Sequence, residues 1–203
     1  MCQLCEGINH DDIVELEICD KITHIPDTLV QLEVLSCTNA KVHTIPDTLV
    51  QLKKLNCYNT KVSTIPDTLV QLEVLYCDNT KVSIIPDTLD QLKVLDCHNT
   101  RISIIPYTLI HLELLYCDNT KVSIIPDTLI HLKWLNCDNT NIGKDEFLEY
   151  ASNMRLAKPG FRKFINIMIR RPNLFKTLWE IAEYYTARKY SPANILNHID
   201  LSN

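Results

Sequence analysis

Apolar and polar positions along this chain follow two rhythms. The first has a period of 20 residues and reads LxxLxCxNTKVxxIPDTLxQ, as in Leu72 through Gln91. Within LEVLYC, Leu72, Leu75 and Cys77 end on an apolar/polar alternation, which predicts a short half-buried strand. Val82, Ile85 and Leu89 then lead the chain back without room for a long helix. Pro86 fixes φ and lacks an N–H, so it suits an extended return segment. Five full units run from Leu32 to His131. A degenerate unit precedes them (Ile13, Leu16, Ile18, Ile22, Ile25, Pro26), and a truncated one follows from Leu132 to Ile142. One strand and one return make a coil, and stacked coils predict a parallel sheet rising about 4.8 Å per unit. No single coil closes a core, so each depends on its neighbours.

After Asn141 the rhythm becomes helical. Phe147, Leu148, Ala151 and Met154 lie at helical spacing, as do Phe161, Phe164, Ile165, Met168 and Ile169. Leu174, Leu178, Ile181 and Tyr185 line a further helix after Pro172, and Ser191-Pro192 offers N-cap and N1 chemistry for a last one. The chain therefore divides into an N-terminal segment (1–12), a solenoid (13–142) and a C-terminal α-helical cap (143–203). A cap is expected because an open solenoid end would expose the core of the last coil.

In a solenoid every repeat position becomes a column. Cys37, Cys57, Cys77, Cys97, Cys117 and Cys137 form one that reads as core, since free cysteine is small and commonly buried. Side chains in a parallel ladder point the same way, which suits disulfides poorly, and no recurring His or carboxylate column stands beside them to suggest a metal–thiolate array. Glu33, Lys53, Glu73, Lys93, Glu113 and Lys133 alternate in sign, a register and solubility device. Thr60, Thr80, Thr100, Thr120 and Thr140 (Ala40 in one unit) each follow an Asn, from Asn39 to Asn139, and either residue type could turn inward to satisfy the backbone at the strand end. Three columns vary between repeats and face the sheet's open side, running from Val34 to Trp134, from Ser36 to Asn136 and from Thr38 to Asp138. Their aromatic and acidic members (Tyr58, Tyr76, Asp78, Asp96, His98, Tyr116, Asp118, Trp134 and Asp138) are the candidate partner-binding residues, because Tyr and Trp are typical interface anchors. The four aspartates among the central positions would repel phosphate, which argues against nucleic acid on that face.

The repeat resembles the short leucine-rich repeat of bacterial effectors, LxxLxVxxNxLxxLPxxL. It is more similar still to repeat proteins encoded by giant, mimivirus-like DNA viruses. The resemblance covers residues 13–142. Cys37 and its equivalents stand where the family has an inward Val or Leu, and Thr stands where it has an inner Asn. It implies an α/β solenoid with a parallel β-sheet on the concave face and an extended, turn-rich convex side. It also implies a non-enzymatic module that binds a protein partner on the concave face, placed in the host cytoplasm or virion. Some bacterial effectors of this kind carry a ubiquitin-ligase domain with a catalytic cysteine after the repeats; this chain has no cysteine after Cys137.

Composition narrows the chemistry. Only Gly7, Gly143 and Gly160 are glycine, so no phosphate-cradling loop interrupts the repeats. His111 and His131 read as surface members of a column, and the repeats offer no nucleophile, base and acid as a set. The sequence therefore predicts neither enzyme nor cofactor. The stretch MCQLCEGINHDD lacks the basic and apolar regions of a signal peptide, and no run nears the ~20 apolar residues of a membrane span. The nine cysteines are accordingly read as reduced and intracellular. Cys2 and Cys5 form a lone CxxC that Cys19, His10 and His24 could complete as a metal site; two ordinary thiols are the simpler reading, and no metal is assigned. The net charge of −5 divides into −9 over residues 1–140 and +4 over residues 141–203. Arg162, Lys163, Arg170 and Arg171 make a basic cluster suited to an acidic partner, which leaves an adaptor role as the alternative.

Overall fold

The computed structural model describes residues 13–142. The segment 143–203, expected from sequence to form a helical cap and carrying the basic cluster, and the Cys2–Cys5 pair with His10 lie outside the described residues. Seven three-residue strands, β1 (Glu15–Glu17), β2 (Val34–Ser36), β3 (Lys54–Asn56), β4 (Val74–Tyr76), β5 (Val94–Asp96), β6 (Leu114–Tyr116) and β7 (Trp134–Asn136), form one parallel sheet in sequence order. From β2 onward every pairing steps by 20 residues, as Val74↔Val94 and Tyr76↔Asp96 do. Between β1 and β2 the step is 19, with Leu16 opposite Leu35. Ile18 therefore occupies the place that Cys37 fills in the next coil, and it is buried. The residue missing from that coil belongs to its turn.

The coils are bonded to each other at three stations. At the strand, the Cys77 N–H donates to Asp96 O at 2.8 Å, and the Lys93 and Val94 N–H groups share Glu73 O at 2.8 and 3.1 Å. At the turn, the Asn79 N–H donates to His98 O at 3.1 Å; on the return side, the Lys81 N–H donates to Val62 O at 2.9 Å. A coil thus satisfies much of its backbone only through its neighbours, as buried polar groups require.

Inside, the columns that begin at Leu29, Leu32, Leu35, Cys37 and Val42 are buried in coil after coil, until Cys137 and Ile142 in the last described coil, which are half-buried. Beside them the open choice between Asn and Thr is resolved. From Asn39 to Asn139 each Asn takes φ between 52 and 59°, the left-handed region that Asn tolerates better than branched residues. That reversal turns the following Thr inward. Thr60, Thr80, Thr100 and Thr120 are buried, each Oγ1–H donating to the carbonyl of the Cys three residues earlier. The Val82 N–H in turn donates to Thr80 Oγ1 at 3.3 Å.

The Pro-Asp-Thr-Leu segment closes each coil with a turn, the Leu89 N–H donating to Pro86 O at 3.3 Å. The Thr88 hydroxyl donates to Asp67 O in the preceding coil at 2.6 Å, and Thr48, Thr68 and Thr128 do the same. Thr108 departs from this pattern, its hydroxyl having no partner.

The Glu/Lys column pairs in twos. Lys53 meets Glu33 at 2.8 Å and Lys93 meets Glu73 at 2.8 Å, with Lys133 on Glu113 completing the series. The bonded unit is thus a 40-residue doublet. The Lys93 ammonium holds the Glu73 carboxyl below its ordinary range, mainly through their hydrogen bond. These pairs are solvated, so each is worth under about 1 kcal/mol. Lys93→Gln is expected to lower stability by no more than that at low salt, with the difference fading above about 0.5 M NaCl as screening sets in. Urea midpoints at two salt concentrations check it, and a salt-independent loss would mean the lysine acts by packing.

Candidate functional site: the open face of the sheet

The strands present alternate residues to solvent, and the central inward leucine of each strand fixes which ones. Leu75, Leu95 and Leu115 are buried, so the residues on either side of each face outward. The register sets Tyr76, Asp96 and Tyr116 side by side on β4, β5 and β6. Two residues further on, adjoining coils contribute Asp78, His98 and Asp118. An imidazole is therefore flanked by carboxylates in one row, and a carboxylate by phenols in the next.

His98 is the centre of this arrangement. Its Nδ1 lies 2.6 Å from Asp96 Oδ1, and its Nε2 lies 3.5 Å from Asp78 Oδ2. Asp96 Oδ1 also accepts the His98 backbone N–H at 3.3 Å, a local Asx turn that locks carboxylate and ring together. Asn56 and Asn136 make the same turn to the N–H of Tyr58 and Asp138, at 3.1 and 3.4 Å. The hydrogen bond to Asp96 pushes His98 up to about 9; burial opposes this, and the charges of Asp96, Asp78 and Asp118 add to it. His98 is an imidazolium at neutral pH, which makes it a held cation and a poor general base.

The carboxylates beside it are held in turn. Asp78 Oδ2 accepts the Asn79 amide at 3.2 Å, and Asp118 accepts from Asn119 at 3.0 Å and from Asn136 at 3.0 Å. Burial raises both carboxyls above the ordinary range, and His98 counteracts it. Tyr116 is pushed up to about 12 and Tyr76 is raised, in each case by burial first and by Asp96 second. Both phenols stay protonated as donors at any physiological pH.

Most of the residues predicted for this face are there, with unequal access. Tyr58, Tyr76 and Asp138 are exposed, and Asp96, His98, Tyr116 and Asp118 are half-buried. Asp78 and Trp134 are buried, at 5% and 4% exposure. Its outward strand position made Trp134 a candidate surface contact; the structure buries it, and Trp134 is not available as one.

Two features escaped the sequence reading. His111 and His131, read as separate surface members of a column, stack on each other with ring centroids 6.3 Å apart. On the return side Ile84, Ile104 and Ile124 are 73, 74 and 63% exposed, an apolar column beside Tyr107 at 67%. The second of the paired isoleucines in VSIIP is core and the first is surface, a distinction that the pair alone does not make.

No family model matches the sequence, and no curated protein matches it. Solved structures do match its fold. The functional domain of InlJ from Listeria monocytogenes, whose structure includes a cysteine ladder, is 24% identical with a TM-score of 0.62, over 66% of this chain and 32% of that one. An internalin, inlF, from L. monocytogenes str. 4b F2365 is 21% identical with a TM-score of 0.61, over 71% and 47%. A TDR receptor is 20% identical with a TM-score of 0.52, over 68% and 27%. The chain thus spans less than half the length of each of these three structures. The described coils have the leucine-rich-repeat fold, with a buried cysteine column.

Proposed function

We propose that this chain is a non-enzymatic module that binds a protein partner through the open, concave face of its sheet. The supporting observation is which part of the surface varies from coil to coil. Around the coil, the repeated polar columns bond along the stack. Asn59, Asn99 and Asn139 each donate to the Asn of the preceding coil, Gln71 donates to Gln51, and the Glu/Lys pairs close on themselves. The positions that vary most from coil to coil lie on the open sheet face, where Tyr58, Tyr76 and Tyr116 present aromatic area among held carboxylates. Rigid aromatics that lose little entropy on docking are the usual anchors of interfaces. The giant-virus origin and the host-cytoplasm or virion setting belong to this proposal and rest on the sequence resemblance.

The test is recovery of partner by wild type and by Tyr76→Ala/Tyr116→Ala, with Lys93→Ala as a surface control. An anchor of about 2 kcal/mol corresponds to roughly 30-fold weaker binding per tyrosine. The double variant is therefore expected to lose the partner while Lys93→Ala keeps it. Equal recovery by all three would end the assignment to this face. Trp134 is left out because truncating a buried indole would report on folding.

A further inference from the structure

We propose that His98 and Asp78, with Asp96 behind the imidazole, form a binding site for a divalent transition-metal ion of the zinc class. The proposal stands on this cluster's own geometry and is independent of the partner assignment.

The spacing is the first argument. His98 Nε2 and Asp78 Oδ2 are 3.5 Å apart, outside the 2.7–3.2 Å of a good N–H···O bond. Zinc–nitrogen and zinc–oxygen bonds of about 2.0–2.1 Å at tetrahedral angles place two ligand atoms about 3.4 Å apart. The gap is loose for a proton and matched to a metal ion.

The second argument is what lies behind the ring. A metal-binding histidine ordinarily donates its other ring N–H to a carboxylate, which fixes tautomer and orientation. Asp96 Oδ1 stands 2.6 Å from Nδ1, and the Asx turn to the His98 backbone N–H fixes Asp96 itself. On the other ligand, the Asn79 amide orients the Asp78 carboxylate. The residues around both ligands are therefore set before any ion arrives.

Charge completes the case. With Nδ1–H given to Asp96, a bare Nε2 lone pair would face the Asp78 carboxylate, so a positive species must sit between them. A proton neutralises one of the three nearby carboxylates of Asp78, Asp96 and Asp118; a dication neutralises two. Ligand atoms of Asp78, Asp96 and His98 all lie within 4.8 Å of one another, the one such grouping among the described residues. His98 Nε2 and Asp78 Oδ2 are the protein ligands, Asp96 stays on Nδ1 behind the ring, and water fills the remaining positions. The mixed nitrogen and oxygen set favours zinc or cobalt over calcium or magnesium, which prefer all-oxygen sites.

Because the ion replaces the proton on Nε2, binding releases protons, whereas an exposed carboxylate cluster binding calcium releases none. The experiment is calorimetric titration of the full chain with Zn²⁺, Co²⁺, Ca²⁺ and Mg²⁺ at pH 7.5, in buffers of different ionisation enthalpy. Expected are one equivalent of Zn²⁺ or Co²⁺ and release of about one proton. Affinity should fall at least tenfold in His98→Gln and in Asp78→Asn, and 10–100-fold in Asp96→Asn, the usual cost of losing a carboxylate behind a ligand histidine. Cys2→Ser/Cys5→Ser should bind as wild type does, and circular dichroism should show every variant folded. Unchanged affinity in folded His98→Gln, loss of binding in Cys2→Ser/Cys5→Ser, calcium binding as tight as zinc without proton release, or no saturable binding would each overturn the proposal.

Discussion

Leu95→Ala is expected to lower the free energy of unfolding by about 2–5 kcal/mol, enough to remove a large part of the stability of a domain this size. Leu95 is fully buried in β5, with Leu75 and Leu115 beside it in register. Truncation removes its transfer free energy and leaves a gap that the neighbouring coils cannot close, since their backbones are fixed by bonds such as Cys77 N–H to Asp96 O and Cys97 N–H to Tyr116 O. A solenoid adds a further consequence. Stability is passed between nearest neighbours, so a weak central coil uncouples the halves of the stack. Urea unfolding followed by circular dichroism should show a lower midpoint and a broader transition for Leu95→Ala. Leu95→Met, which keeps the volume, should lose under about 1.5 kcal/mol. A sharp, unshifted transition for Leu95→Ala would mean that this column does not hold the stack together.

The same columns explain what was legible in the sequence. A period of 20 residues held from Leu32 to His131 leaves one way to stack the coils, so the inward leucines, the cysteine ladder and the parallel register could be read from spacing. The alternation of Glu and Lys also anticipated ion pairs along that column, although only the structure shows that Lys93 closes on Glu73 and leaves Glu113 to Lys133. Choices between chemically similar neighbours were not legible. Asn and Thr can both bond a strand end, and only the left-handed φ of Asn39 and its equivalents decides that the Thr turns inward. The 19-residue first step was hidden because Ile18 is as apolar as the cysteine it replaces. His98 stood in the sequence as one member of a variable column. Its geometry depends on Asp96 two residues away and Asp78 twenty residues away, acting on opposite sides of one ring. Trp134 shows the reverse error, since an outward strand position does not establish exposure.

Alkaline pH is expected to unfold the protein near pH 10, through the cysteine column. Burial pushes Cys37 and Cys137 up to about 12, and it raises Cys57, Cys77, Cys97 and Cys117 well above the ordinary value, a neighbouring thiol adding to the rise in those four. In the unfolded chain the same thiols ionise near 9.0. Between these values the unfolded state holds fewer protons than the native state. Stability is therefore intact below about pH 9 and falls as pH rises towards the folded values. Each thiol withdraws about 1.4 kcal/mol per pH unit in that window, so six of them remove roughly 8 kcal/mol one unit above its start. That is comparable to the whole stability of an ordinary domain, and it puts a cooperative transition about one unit above the unfolded thiol pKa. Circular dichroism from pH 7 to 11 follows it directly. Cys97→Ala removes one titrating group, and its stability should fall less steeply with pH than wild type even though the cavity lowers the starting value. The two effects are separable because one changes the slope and the other the intercept. Secondary structure unchanged at pH 11, or identical slopes for wild type and Cys97→Ala, would show that the column does not stay protonated as a unit in the native state.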